Sequence, residues 1–386
     1  MKKRSPSDVT GEFYDIYPEG IMEETEGDEN LKQKKTLWSL DFNRNFPYGW
    51  FPDARQAGAG SYPLSNPECK AIVDFVLAHP NIGGAAIGHT SGGIILYPPG
   101  TRPEKTAPAQ DMQFLKEIAE MGKEELGYTP MNIFDSFMDD QEHYDSGALD
   151  DWFYQDQGIP AYTMEFWDVA SKAGMPYDWG SRKKESPEKQ LERFNALMKW
   201  VIENAPQYYM DWQPYDHPYF GKVEIGGFNT KFTIQNPPEN MLEAECSKDT
   251  AFNLRYIQAM PQLAIDSVNA EKIGEDLYKV TALIGNHGYL PTSLTQQAVT
   301  MNKAEPVKAS ISGGSLLAGK ETEDCGTLDG FGCTKTGTWY GNLTTFFSAK
   351  AKKKLSWIVK ASAGTELTIT ASQPKAGTAS AEITLP

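Results

Sequence analysis

Three short stretches of this sequence carry side chains whose types and spacing can do chemistry. In Asp41-Phe-Asn-Arg-Asn-Phe-Pro47, Arg44 stands between Asn43 and Asn45 directly after an apolar stretch. A planar guanidinium flanked by amides suits two-pronged recognition of a carboxylate; the plainer alternative is a loop arginine paired with one of the chain's many acids. In Gly88-His89-Thr-Ser-Gly-Gly93 an imidazole ends an apolar run and is followed by glycines that let a ligand approach the backbone. The alternative there is a structural histidine satisfied by its neighbours. Glu165 lies between Met164 and Phe166, on the same alternating face as Thr163 and Trp167. A carboxylate inside an apolar strand is costly unless it is paired or held near a metal, and burial raises its pKa toward the range of a useful general base. Its alternative is a paired structural glutamate.

These residues need a scaffold, and from Leu37 onward the pattern is that of an α/β domain. Ser65-Asn-Pro-Glu68 reads as a capping box opening a helix with Ala71, Ile72, Phe75 and Val76 on one apolar face. Ala85-Ala-Ile-Gly-His89, Ile94-Ile-Leu-Tyr97 and Ala161-Tyr-Thr-Met-Glu-Phe-Trp167 read as strands. A helix beginning at Asp111 presents Phe114, Leu115, Ile118 and Ala119, one capped by Ser186-Pro187 presents Leu191, Phe194, Met198 and Val201, and a last helical pattern runs from Glu239 to Met260. Beyond Pro261 the texture changes to runs with period two, such as Leu277–Ile284, Val307–Ile311, Trp357–Lys360 and Glu366–Thr370, with Gly- and Pro-rich turns and no helix between them. That predicts a small all-β sandwich. The expected division is 1–262 and 263–386, and 386 residues at about 150 per domain agree with two to three domains.

Hydrophobic residues make up 40% and charged residues 23%, the balance of an ordinary globular protein rather than a fibrous or disordered one. Thirty-six Lys and Arg against 52 Asp and Glu leave a net charge of −16. Such a field repels phosphate backbones and anionic lipid, so neither nucleic acid nor membrane is an expected partner. No apolar run reaches the ~18 residues of a membrane span. The start Met1-Lys-Lys-Arg-Ser has no apolar stretch behind it and does not read as a secretory signal, which favours the cytoplasm. Residues 1 to about 36 read as a polar, acidic surface segment. Cys69 and Cys246 read as buried thiols. Cys325 and Cys333 could pair in an oxidising compartment, but their spacing is wider than the roughly two to four residues of a zinc pair.

Taken in order, the motifs resemble a known family. Asp41-Phe-Asn-Arg-Asn-Phe-Pro47, Gly60-Ser-Tyr-Pro-Leu-Ser-Asn-Pro-Glu68, His89 beside Ser91-Gly-Gly-Ile-Ile-Leu-Tyr-Pro98, and Asp151-Trp-Phe-Tyr-Gln-Asp-Gln-Gly-Ile-Pro-Ala-Tyr-Thr-Met-Glu165 are similar to the zinc metallocarboxypeptidases of the carboxypeptidase A-like group, from near Met1 to about Leu263. The resemblance implies an α/β fold: a partial, mixed-sheet α/β/α carboxypeptidase domain, then a β-sandwich like the accessory one that often follows it. It implies hydrolysis of the C-terminal peptide bond of a peptide with a free C-terminus, by water on a Zn2+ ion. His89 would be a zinc ligand, Asn43 and Arg44 the grip on the substrate carboxylate, Glu165 the general base, Tyr144 a mobile tyrosine over the substrate, and Arg4 the oxyanion-stabilising arginine. The specificity position falls at Leu149 or Asp150, which the resemblance does not separate.

One part of the family pattern is missing. The family takes its first two zinc ligands from a His-x-x-Glu motif upstream of Asn-Arg, and no histidine here has Glu at the third position after it: His79 leads to Ile82, His89 to Gly92, His143 to Ser146, His217 to Phe220 and His287 to Leu290. Two expectations follow. In one, the chain is a piece of a longer enzyme, Met1 is an internal methionine, and an exposed sheet edge and apolar face make it poorly soluble or self-associating. In the other it is a metal-free pseudoenzyme that binds peptide C-termini. A rival from another class, a glycoside hydrolase using Asp139 and Asp140 with nine Trp to stack sugars, is disfavoured because adjacent carboxylates point in different directions.

Overall fold

The computed structural model describes residues 40–138, 140–179, 185–217, 221–333, 335–339, 342–346 and 348–386. Helix α1 (Pro67–Ala78) leads to strands β1 (Ala85–Thr90) and β2 (Ile94–Tyr97), then α2 (Ala109–Leu126), β3 (Thr129–Asn132), the one-turn α3 (Leu149–Asp151), β4 (Ala161–Phe166) and the short α4 (Val169–Lys172). After these come α5 (Pro187–Asn204), a hairpin of β5 (Tyr209–His217) and β6 (Gly221–Phe228), and α6 (Glu239–Gln258). The sheet order is β1-β4-β2-β3, with β1 parallel to β4, β4 antiparallel to β2 and β2 parallel to β3. This is the mixed sheet that the fold class required.

The central strand β2 is apolar at every position because both its faces are covered. Ile95 and Tyr97 enter the main core with α2 and α6, while Ile94 and Leu96 meet Met131 and Ile133 on the other side. On α2, Phe114, Leu115, Ile118 and Ala119 are all buried, as their spacing predicts, and the helix stops at Gly127, whose N–H reaches the Lys123 carbonyl. Two other helices turn differently from expectation. The N-cap of α1 is Asn66, not Ser65, and its inward stripe is Cys69, Val73 and Val76; Ile72 and Phe75 are exposed. On α5, Leu197 and Val201 face inward while Leu191 and Phe194 face solvent. Both sequences are apolar over more than half a turn, so periodicity alone leaves the inward edge of the stripe open. Cys246, expected to be buried, is exposed on α6. Strand β1 is outermost in its sheet among the described residues.

The second unit begins with β7 (Leu263–Gly274) and β8 (Leu277–Asn286), followed by α7 (Gln296–Thr300), β9 (Val307–Ser312), β10 (Ser315–Ala318), β11 (Thr322–Gly326), the hairpin of β12 (Lys335–Trp339) and β13 (Asn342–Phe346), β14 (Lys352–Lys360), β15 (Glu366–Gln373) and β16 (Gly377–Thr384). Two antiparallel four-stranded sheets, β10-β14-β8-β7 and β11-β9-β15-β16, contribute Tyr278, Val280, Trp357, Leu367 and Ile369 to one core. The expectation of no helix here needs correction, since α7 is present; five residues are too short to show a helical period. Cys325 is a buried free thiol; Cys333 is half-buried, its Sγ accepting from the Gln110 amide (3.0 Å). Among the described residues no helix is long and apolar enough to cross a membrane.

The two units share contacts. Leu290 and Leu294 join the core of the first unit. The Thr295 hydroxyl donates to the Gly158 carbonyl (2.7 Å), and the Lys375 ammonium donates to the Ile82 carbonyl (2.8 Å) in the turn before β1. The Asp111 carboxylate, fully buried on α2, accepts from the N–H groups of Gln296 (2.6 Å) and Gln297 (2.9 Å) at the start of α7.

Candidate functional site

Parallel pairing of β1 with β4 sets His89 opposite Glu165, and their Nδ1 and Oε1 atoms lie 3.6 Å apart. The Glu165 carboxylate holds the pKa of His89 above its ordinary value, against the opposing effect of burial. Behind them the end of β4 is pinned. Trp167 adopts φ +71°, uncommon for a bulky side chain. Its N–H donates to the Tyr128 hydroxyl (2.9 Å), which donates in turn to Glu245 (2.8 Å), and its indole N–H donates to the Thr233 carbonyl (2.8 Å).

Thr163, two residues before Glu165 on the same face, donates its hydroxyl to Asp150 (2.8 Å). Burial raises the pKa of Asp150 despite that bond, one from the Asp151 N–H, and the opposing charges of His89 and Arg44. Neighbouring Asp151 is pushed up to about 7 by burial and by Asp150, although both its oxygens accept from the Gly100 N–H (3.0 and 3.1 Å). Leu149 and Asp150, inseparable as the specificity position, differ in surroundings: Leu149 is half-buried, Asp150 buried.

The Asn-Arg segment is shaped by its own acid. Asp41 accepts from the Asn43 N–H (2.9 Å) and caps a single helical turn, Phe42–Arg44. The two asparagines then take different tasks. Asn45 is fully buried, donating to the Ala59 carbonyl (2.6 Å) and the Tyr62 carbonyl (2.9 Å) and accepting from the Asn66 N–H (2.9 Å), so it is scaffold. Asn43 is half-buried, and its Oδ1 accepts from the Leu149 N–H (2.8 Å), tying this turn to the residue before Asp150. The segment also lies against Gly147 at φ +69°, where a Cβ would stand 2.4 Å from the Arg44 carbonyl oxygen, so only glycine permits the approach. Arg44 itself donates from Nη1 to the Asn43 carbonyl (2.9 Å) and from Nη2 to Asp145 Oδ2 (2.8 Å), with Asp41 Oδ2 3.9 Å from its Nε.

The structure therefore brings His89 and Glu165 together, ties Asn43 to the Leu149 N–H beside Asp150, which bonds Thr163 on β4, and leaves Arg44 paired with Asp145. Tyr144 precedes Asp145 in the loop alongside Arg44, and its ring lies beside Phe51 and Phe134 (centroids 6.2 and 6.1 Å away), with the Arg55 guanidinium 5.6 Å from its centre. Arg4 lies outside the described residues, as does Asp139; Asp140 is exposed and pairs with His143 (2.8 Å). The glycines after His89 are not open to a ligand as expected: the Trp179 ring covers Gly92 and Asp168 covers Gly93. Asp145 was missed by sequence reading, since a partner 101 residues from Arg44 leaves no local signal. Thr163 had one, its alternation with Glu165.

The described residues do not fit a catalytic zinc ion, which takes three protein ligands. Among the described residues no three His, Cys, Asp or Glu side chains converge on a metal-holding position. The other histidines sit elsewhere: His79 caps the C-terminus of α1 and stacks on Phe75, His143 pairs with Asp140, His217 ends β5, and His287 pairs with Asp266.

Residues 23–177 match the family model described as zinc carboxypeptidase, and residues 262–384 match that of a domain of unknown function, DUF8731. Carboxypeptidase A1 of Rattus norvegicus is 33% identical over 142 residues, covering 34% of this chain and 32% of the relative. Carboxypeptidase A1 of Mus musculus is 34% identical over 112 residues, covering 28% and 26%. The chain thus spans about a third or less of the length of these curated relatives. Among solved structures, thrombin activatable fibrinolysis inhibitor (TAFI) is 23% identical over 43% of each chain, with a TM-score of 0.29.

Proposed function

Because residues 23–177 belong to the zinc carboxypeptidase family, carboxypeptidase A-like, we propose that this chain presents the substrate-facing side of a metallocarboxypeptidase-type site. Asn43 and Arg44 take the free C-terminal carboxylate of a peptide, and Glu165, beside His89, faces the last peptide bond. Residues 1–262 form the site-bearing unit and 263–386 an accessory one. The observation that carries this reading is geometric: His89 and Glu165 are register partners 3.6 Å apart, Thr163 on the same face as Glu165 bonds Asp150, and Asn43 accepts from the N–H of the neighbouring Leu149. In this reading Glu165 takes a proton from an attacking water and returns it to the leaving amine. Arg44 makes the chemistry exopeptidic, because the substrate's C-terminal carboxylate must reach it.

Among the described residues no second or third metal ligand joins His89, so this chain is expected to bind peptide C-termini and to hydrolyse them weakly or not at all. The second reading is a metal-free protein that captures C-termini. One experiment separates the two. An acetylated peptide with a free C-terminus and its C-terminal amide are titrated against the chain by calorimetry, with and without added Zn2+, while release of the terminal residue is followed. The free acid should bind and the amide should not, with no chelator-sensitive release. Tight, stoichiometric zinc with release of one residue establishes the enzyme instead of the binder. Equal binding of acid and amide sinks both.

A further inference from the structure

The proposed carboxylate grip is already holding a carboxylate of its own chain. Arg44 Nη2 donates to Asp145 Oδ2 at 2.8 Å, in a loop that the close approach of Gly147 to the Arg44 carbonyl brings alongside. On the reading of Asn43 and Arg44 as the substrate grip, we propose that Asp145 is an internal competitor for the peptide C-terminal carboxylate and sets the affinity of the site.

Three features support exchange rather than a permanent structural bond. The pair is reachable, with side-chain exposures of 19% for Arg44 and 38% for Asp145. The contact is one-pronged, through Nη2 alone, and the second Asp145 oxygen has only a long 3.5 Å approach from the Gln56 amide. A guanidinium offers five N–H donors, so an incoming carboxylate that binds two-pronged gains more from Arg44 than Asp145 does. Lastly, Arg44 already has a second acid beside it, with Asp41 Oδ2 3.9 Å from its Nε. A second anion cannot join the same guanidinium edge without strong like-charge repulsion, so substrate binding requires Asp145 to leave.

The arithmetic is that of a site competent only part of the time: apparent affinity falls by the fraction of molecules in which the grip is free. If Asp145 occupies Arg44 nine times in ten, removing its charge tightens peptide binding about tenfold. The test titrates the same acetylated free-acid peptide and its amide against the full chain and two variants, Asp145→Asn and Asp145→Ser. Two are used because either alone could perturb the loop. Affinity for the free acid should rise about tenfold in both, with the amide still unbound. Unchanged or weaker free-acid binding in both variants, while the wild type still rejects the amide, overturns the competitor and leaves the grip intact. A wild type that binds acid and amide alike, or neither, removes the grip and the competitor together. In the same series Arg44→Gln should abolish free-acid binding, and its retention would equally remove both.

Discussion

In the first unit Asp150 and Asp151 lie side by side at 4% and 1% exposure, and burial raises the pKa of each. In the sandwich Asp266 is also largely buried, but Lys352 Nζ lies 2.6 Å from one oxygen and His287 Nε2 2.7 Å from the other. Burial works against its charge, yet these two bonds outweigh it and hold its pKa below the usual range. The surfaces do not follow this contrast: the first unit leaves Ile72, Phe75, Leu191, Phe194 and Ile257 exposed on helix faces, and the second unit, though its core closes between two sheets, leaves Ile273, Leu317 and Phe331 exposed. One unit is a closed body that pairs its largely buried acid with a lysine and a histidine; the other leaves the Asp150–Asp151 pair to hydrogen bonds from Thr163 and Gly100, beside the residues that could do work.

The largest expected effect lies in the closed body. Trp357 is buried at the centre of the sandwich, and Trp357→Ala should cost about 3–5 kcal/mol. Urea unfolding followed by hydrogen exchange of β14 would read it, and a cost below about 1 kcal/mol would mean that the sandwich is not closed around this ring.

The second test sets the two acids against each other in pH. Asp151 has a folded pKa raised from 3.8 to about 7, so its contribution is fully present below about 4 and is lost as pH rises through 7. The loss is on the order of a few kcal/mol, at about 1.4 kcal/mol per pKa unit. Asp266 has a lowered folded pKa, so its contribution is present above about 4 and is lost as pH falls through the folded value. Exchange protection of β4 should therefore weaken from pH 5 to pH 8, and that of β8 and β14 should weaken only in acid. Parallel pH slopes in both units would break the comparison.

The smallest effect concerns the open surface. Phe75→Ser on α1 should change stability by less than about 0.5 kcal/mol, because the ring is 58% exposed. It should nevertheless reduce self-association measured by sedimentation. A loss of stability comparable with that of Trp357→Ala would show that this face is covered in solution.

How much of this was legible in the sequence follows from range. Elements with one clear period came through almost residue for residue: β2 at Ile94–Tyr97, α2 with its four inward positions, and β4 with Thr163 and Glu165 on a common face. The partnership of His89 with Glu165 was readable only through resemblance, because register between distant strands is not written in either strand alone. Asp145 and the scaffold task of Asn45 were not readable, since both depend on loops meeting across the fold. The hairpin β5–β6 was also missed: its faces alternate weakly, and Pro214 interrupts the run.

The Asp111 carboxylate bears on how the polypeptide can be cut. It has no exposure, and besides the Tyr154 hydroxyl (3.1 Å) its donors are the two amides that begin α7. Scissors applied between residues 262 and 263 would strand a buried anion with one neutral hydroxyl for company. Expressing the site-bearing part alone therefore calls for replacing Asp111 by an apolar residue, or for carrying the downstream segment through Thr300 along with it.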